Sequence, residues 1–248
     1  LDWGRDTFIV ARGLLSSGRK EDVAGIVRTF ARLERKGTLP NTLNGHDNSN
    51  RETSDAPLWF SLVVEELGEE YLNDGINGGR SLSEVLISIG TGYRDGAENG
   101  VKMDEKSGLV WSPSHYTWMD TNYPAGSPRE GYPIEIQALW VKLLNHLDRI
   151  DSGKGWGEIS DKAIDSIEQL YAGNINGWMT DHLQAEEGRS AFDAARDDAL
   201  RPNALIAIAL DVVKGSIAQK TVLAAKEHLM VPGAIRTLAP LPVELPLE

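Results

Sequence analysis

Apolar side chains along this chain return every three or four residues, and that spacing commits it to packed helices. One stripe is Val23, Ile26, Val27, Phe30 and Leu33. The same period recurs in Phe60, Val64, Leu67 and Tyr71, in Leu82, Val85, Leu86, Ile89 and Tyr93, and in Ile136, Trp140, Leu143, Leu144 and Leu147. Each set occupies one side of a helix and must be covered by a neighbour to leave water. Weaker patterns predict helices over residues 159–171, over 205–213, and from Ser216, where Gln219 three positions on reads as a capping box. Residues 7–15 are apolar nearly all round, which predicts a helix buried on most sides. About eight helices result, and the fold class is all-α.

Two long polar connections, residues 37–54 and 96–131, interrupt this pattern. The second holds a predicted small hairpin: Val101-Lys102-Met103, a turn over 104–108, then Leu109-Val110-Trp111. It also carries Trp111, Tyr116, Trp118 and Tyr123, aromatic groups that a solvated linker has little reason to hold. No short repeat of fixed period is present, so helix pairs with long loops at one end point to an α/α toroid or a bundle.

Charge and residue usage narrow the function. With 25 Lys plus Arg against 37 Asp plus Glu the net charge is −12, and the basic residues are scattered, which disfavours nucleic acid and anionic membrane surfaces alike. No apolar run approaches the roughly 20 residues of a spanning helix, and the opening residues lack a signal-peptide profile. Cysteine is absent and the five histidines are dispersed, which excludes disulfides and thiolate metal sites, makes an all-histidine site improbable and fits a cytoplasmic setting. Phosphate loops, nucleophile elbows and zinc-helix motifs are missing too. Carboxylates, arginines and aromatics remain, an inventory suited to glycoside chemistry, in which two carboxylates act across one bond.

Four clusters concentrate those residues. Trp3-Gly4-Arg5-Asp6 precedes the first predicted helix: Asp6 is either its cap or, with Arg5 and the Trp3 indole, part of a sugar-binding corner. In Ser54-Asp55-Ala56-Pro57-Leu58-Trp59, capping explains Asp55 as well as substrate contact does, and Trp59 lies beside the Phe60 stripe, where it can line a cavity. Asp120, flanked by Trp118 and Asn122, is either an Asx-turn residue or an acid whose proton affinity an apolar wall raises. Glu135 opens the helix whose buried stripe starts at Ile136, within reach of Arg129. In the fourth cluster, Arg201-Pro202-Asn203, the asparagine reads as a helix cap and Arg201 as a structural partner of the nearby Asp197 and Asp198.

Taken in order, Trp3-Gly4-Arg5-Asp6-Thr7-Phe8-Ile9, Ser54-Asp55-Ala56-Pro57-Leu58-Trp59-Phe60, Thr117-Trp118-Met119-Asp120, Ser127-Pro128-Arg129-Glu130-Gly131 with Glu135-Ile136-Gln137-Ala138-Leu139-Trp140, and Arg201-Pro202-Asn203 resemble the C-terminal amylo-α-1,6-glucosidase domain of glycogen debranching enzymes. The resemblance spans most of the chain. It implies a glucoamylase-like (α/α)6 toroid, inverting hydrolysis of α-1,6-glucosidic branch points in glycogen or limit dextrin, and no cofactor or metal. It further implies Asp120 as the general acid, Arg5 and Asp6 as the pair holding the hydroxyls of the glucose to be released, and Trp3, Asp55, Trp59, Trp118, Arg129 and Glu135 as lining the same pocket.

A full toroid of this kind has twelve helices, and the family pattern continues past this chain into the segment that bears the general base. Residues 1–248 are therefore expected to form one partial domain, an incomplete (α/α)6 toroid with a small β-hairpin in a long loop, lacking an N-terminal helix and the C-terminal helices. Such a piece is expected to be inactive alone and to self-associate through the surfaces left open. The rival readings are a glucoamylase- or trehalase-like α-glucosidase and a non-catalytic carbohydrate-binding module.

Overall fold

A computed structural model describes residues 2–76, 79–121, 128–172 and 176–243. Among them are eight α-helices: α1 (Gly4–Ser16), α2 (Lys20–Ala31), α3 (Ala56–Leu67), α4 (Leu82–Asp95), α5 (Ile134–Ile150), α6 (Trp156–Tyr171), α7 (Ala204–Ala209) and α8 (Gly215–His228). The odd-numbered helices pack on one another in sequence, α1 on α3, α3 on α5 and α5 on α7. The even-numbered ones back them: α2 lies against α1 and α3, α4 against α3 and α5, α6 against α5, and α8 against α7. Ion pairs fix the direction of the first three odd helices. Arg5 meets Asp55 where α1 and α3 begin, Arg12 meets Glu66 where both near their ends, and Arg149 of α5 meets Glu65 at that same end. So α1, α3 and α5 run parallel, and the long loops before α3 and α5 gather at one end of the row.

Helix ends follow local chemistry. Pro57 occupies the first turn of α3, and Gly68, at φ +123°, stops it at Leu67, so that Tyr71 falls in a separate 3-10 turn, Glu69–Tyr71. The capping box expected at Ser216 does not form, because α8 starts at Gly215 behind Lys214, which supplies no side-chain cap. A box does form at α4, where the Ser81 hydroxyl accepts from the Glu84 amide and the Glu84 carboxylate accepts from the Ser81 amide. α7 is shorter than its sequence pattern, ending at Ala209 ahead of Asp211 at φ +63°.

Burial overturns one expectation. α3, not α1, is the helix enclosed nearly all round, with every residue buried except Glu65 and Glu66. α1 buries Gly4, Phe8 and Ala11, its Phe8 ring meeting Phe30 of α2 at 4.8 Å and Phe60 of α3 at 5.5 Å. Its other side leaves Ile9 and Val10 exposed, because α1 has helices on one side only.

The small sheets brace the loop end. β1 (Asp2–Trp3) pairs with β2 (Thr42–Leu43), and the predicted hairpin is present as β3 (Lys102–Met103) and β4 (Val110–Trp111), with Met103 opposite Val110. Gln137 of α5 holds the hairpin by accepting from the Val110 amide and donating to its carbonyl. Unanticipated in the sequence is a three-stranded antiparallel sheet of β5 (Gly131–Pro133), β6 (His182–Gln184) and β7 (Ala195–Asp197). β8 (Met230–Val231) and β9 (Ala234–Ile235) form a final ribbon. No helix among the described residues is long and apolar enough to cross a membrane.

Candidate active site

Arg5 is the hub of the site. It projects from the first turn of α1, and its Nη1 donates to Asp55 Oδ2 at 2.9 Å while Nη2 stands 3.5 Å from Asp120 Oδ2. Asp55 occupies the cap position of α3 without capping it. Its second oxygen accepts from the Thr53 hydroxyl, and Thr53 in turn accepts the Ala56 amide, so the helix end is satisfied one residue removed. Burial pushes the Asp55 carboxyl above the ordinary range, opposed by Arg5 and Thr53. Burial would lower the Arg5 pKa, yet Asp55 foremost, then Asp120 and Asp6, outweigh it and hold the guanidinium above its usual value. Asp120 keeps an open side, with 34% of its side chain exposed.

The segment that presents Asp120 is tied on both flanks. Toward α3, the Ser54 amide donates to the Tyr116 carbonyl at 2.8 Å and the Ser54 and Ser112 hydroxyls share a 2.7 Å hydrogen bond. Toward α7, the Trp118 indole N–H donates to Asn203 Oδ1 at 2.7 Å, and Arg129 Nη1 donates to the Thr117 hydroxyl at 3.1 Å. The Trp118 ring is half-buried, so its N–H is committed while part of the ring stays open.

Behind that loop lies a buried charge cluster. Arg129 forks onto both oxygens of Glu135, at 2.5 and 2.8 Å, and its Nε donates to Asp181 Oδ2 at 3.1 Å. Arg201 donates to Asp197 at 2.6 Å and to Asp181 at 3.3 Å, and Asn203 Nδ2 donates to Asp181 Oδ1 at 2.8 Å. Burial would lower Arg129 and raise Asp181. Their opposite-charge neighbours, Asp181 and Glu135 for the arginine and Arg129 and Arg201 for the aspartate, reverse both directions. His182, buried beside Arg129, is pushed down to about 3, first by burial and then by that guanidinium.

The residues singled out in the sequence therefore fall into three groups. Arg5, Asp55 and Asp120 converge, with Asp6 exposed beside them, 3.8 Å from Arg5 Nε, and Trp3 exposed two residues before Arg5. Arg129 and Glu135 pair as their positions suggested, but both are buried and occupied with each other, which puts them behind the loop rather than on an open surface. Trp59 packs into the core under the Arg12 guanidinium, 5.9 Å from the ring centre, because α3 is enclosed on that face as well. Asn122 and Tyr123 lie outside the described residues. Asn203 makes no side-chain cap, contrary to its sequence reading. Thr117 stands in the motif that ends at Asp120 but carries no role in the sequence reading, and Asp181 lies in no motif, its partners being 52, 20 and 22 positions distant.

A groove of about 560 Å³ lies elsewhere, beside β3–β4, lined among others by Lys102, Met103, Trp111, Tyr132 and Arg189, and holds none of these candidates. No group of three or more His, Asp or Glu suited to a metal ion occurs among the described residues.

A family model described as amylo-alpha-1,6-glucosidase matches residues 1–244. The glycogen debranching enzyme of Saccharomyces cerevisiae is 25% identical over 217 residues, a match covering 64% of this chain and 14% of that longer protein.

Proposed function

The chain belongs to the amylo-α-1,6-glucosidase family, and from that premise we propose that it supplies the acid side of a glycoside hydrolase site for α-1,6-glucosidic branch points of glycogen or limit dextrin. The observation that carries the reading is the meeting of Asp120 and Asp55 on one guanidinium, with the Trp118 ring adjoining. Buried Asp55 takes up the Arg5 charge, leaving Arg5 as a fixed donor and Asp120 as the accessible carboxyl. In this reading Asp120 protonates the glycosidic oxygen as the C1–O bond breaks, Trp118 packs on the sugar face, and Arg5, Asp6 and Trp3 border the same subsite. The buried Arg129–Glu135 pair and Trp59 hold the walls instead of touching sugar.

Inversion requires a second carboxylate roughly 6.5–9.5 Å from the acid, with a water between them. Glu135 does not serve, because Arg129 occupies both its oxygens. The family resemblance places the base outside the motifs found here, and on that ground we expect this chain to bind saccharide without appreciable turnover. The succession of odd helices backed by even ones supports an (α/α)6 toroid of which these eight helices form an arc. The exposed Ile9 and Val10 of α1 and Val222 and Leu223 of α8 support self-association of the arc.

The test is calorimetric binding of 1-deoxynojirimycin, a cationic glucose mimic, alongside glucose release from limit dextrin. Binding weakened at least tenfold by Asp120→Asn, without measurable release by the unaltered chain, supports the reading. Absence of binding refutes it. Robust release abolished by Asp120→Asn would show that the base lies within this chain.

A further inference from the structure

We propose that Asn203 is a positioning residue for the proton donor: from the cap position of α7 it fixes the two residues before Asp120 and so sets where that carboxyl stands. The inference rests on the reading of Asp120 as the acid.

Asn203 is 1% exposed, and its amide is used at both ends. Oδ1 accepts from the Trp118 indole N–H at 2.7 Å, while Nδ2 donates to Asp181 Oδ1 at 2.8 Å and lies 3.5 Å from the Met119 sulfur. Only one orientation of the amide works, since an indole N–H can only donate and a carboxylate can only accept. Asp181 is in turn held by Arg129 and Arg201. The amide thus connects Trp118 to a cluster that cannot shift without exposing paired charges. Arg129 adds the neighbouring tether on Thr117, whose hydroxyl also accepts the Met119 amide at 3.3 Å. Three consecutive residues, Thr117, Trp118 and Met119, are therefore fastened to the cluster, and Asp120 is the next in line, facing Arg5 from the other side.

The side chain does this in place of an ordinary task. An asparagine at a helix cap usually bonds the open amides of the first turn, and Asn203 bonds none of them. Among the described residues, Asn203 is the side chain that accepts from the Trp118 indole. A placement error of an ångström at a reacting group is enough to lose a large factor in rate, so a loop that presents an acid needs a tether of this kind.

Two readouts on this chain test the proposal. The first is the tryptophan indole N–H spectrum, with Trp118 identified by its loss in Trp118→Phe. In Asn203→Ala the Trp118 signal is expected to move and to exchange with solvent more than tenfold faster, while those of Trp140, bonded to the Gly108 carbonyl, and Trp156, bonded to Asp151, stay put. The second is deoxynojirimycin affinity, expected to fall about tenfold in Asn203→Ala, with no further loss when that change is added to Asp120→Asn. Asn203→Ser, which keeps a polar group at the buried position but is too short to span Trp118 and Asp181, is expected to show the same two effects if Asn203→Ala does not fold. An unmoved indole signal, or losses that multiply with those of Asp120→Asn, overturns the proposal alone. Absence of binding by the unaltered chain overturns the glucosidase reading and takes this inference with it.

Discussion

Replacing Arg129 by methionine is expected to be among the most damaging single changes in the protein, and the structure gives the reason in parts. Arg129 makes four side-chain contacts, two to Glu135 and one each to Asp181 and Thr117. Asp181 retains Arg201 and Asn203 after the change, so its loss is partial. Glu135 loses its guanidinium partner while remaining buried. Orphaning one member of a buried pair costs about 3–5 kcal/mol, a large share of the roughly 5–15 kcal/mol that holds a domain together. The φ of +51° at position 129 does not confound the comparison, since arginine and methionine bear that conformation alike. Adding Glu135→Gln removes the orphaned charge, so the double variant should recover at least about 2 kcal/mol relative to the single one.

The pH dependence has a definite sign. Without the guanidinium, burial drives the Glu135 carboxyl still further above its ordinary value of about 4.3. Between that ordinary value and the raised one, the folded state binds a proton that the unfolded chain does not, so stability increases as pH falls through the window. The deficit of Arg129→Met relative to the unaltered chain should therefore shrink from pH 7.5 to pH 5. Urea unfolding at both pH values, with unchanged slopes, measures it. A deficit below about 1 kcal/mol, or one that grows at pH 5, would show that some other donor satisfies Glu135.

Further outcomes follow from the same coordinates. His182→Gln should make the protein less acid-sensitive: the buried histidine, held near 3, refuses the proton that the unfolded chain takes up below about 6.5. Its contribution is complete above that pH and is lost progressively down to about 3, amounting to about 2 kcal/mol by pH 5. The urea midpoint of the variant should fall less than that of the unaltered chain between pH 7 and 5. Gly131→Ala should cost about 3 kcal/mol or more, because a Cβ there would stand 2.2 Å from the Leu183 carbonyl oxygen at φ +123°. Gly13→Ala, inside α1 with nothing within 4 Å of the added methyl, should gain up to about 1 kcal/mol in the same melting assay. Ile9→Glu with Val10→Glu, on the open side of α1, should lower the mass seen by light scattering at high concentration without moving the melting temperature.

How far the fold could be read from the residues depends on the range of each signal. Stripes such as Leu82, Val85, Leu86 and Ile89 are local, and each predicted stripe marks an α-helix, although Leu33 and Tyr71, the last residues of two of them, fall beyond the helix ends. How completely a helix is enclosed is not a local property. Residues 7–15 are as apolar as a core helix, yet α1 leaves Ile9 and Val10 in solvent because neighbours cover one side only, whereas α3 is surrounded. The β5–β6–β7 sheet was equally hidden, since strands of three residues carry too little alternation to register and β5 pairs with a strand about fifty positions away.

The site divides along the same line. Arg5, Asp55 and Asp120 could be picked out because each sits in a short motif with chemistry of its own, although nothing local said that one guanidinium joins two of those motifs to the third. The supporting residues could not be picked out, because their meaning lies in partners: Asn203 reads as a cap until Trp118, 85 positions earlier, is found on its oxygen. The cluster beneath also explains why so much charge is tolerated in the interior. Two guanidinium groups, Arg129 and Arg201, face three carboxyl groups, Glu135, Asp181 and Asp197. Burial, with Asp181 as a like-charged neighbour, pushes Asp197 above the ordinary range against the opposing pull of Arg201. Asp181 is held below that range by its two arginines. Asp197 and Glu135, both raised by burial, are thus better placed than Asp181 to take a proton. The carboxylates of the cluster are engaged by buried arginines, which leaves Asp120, 3.5 Å from Arg5 and a third exposed, as the accessible carboxyl of the site.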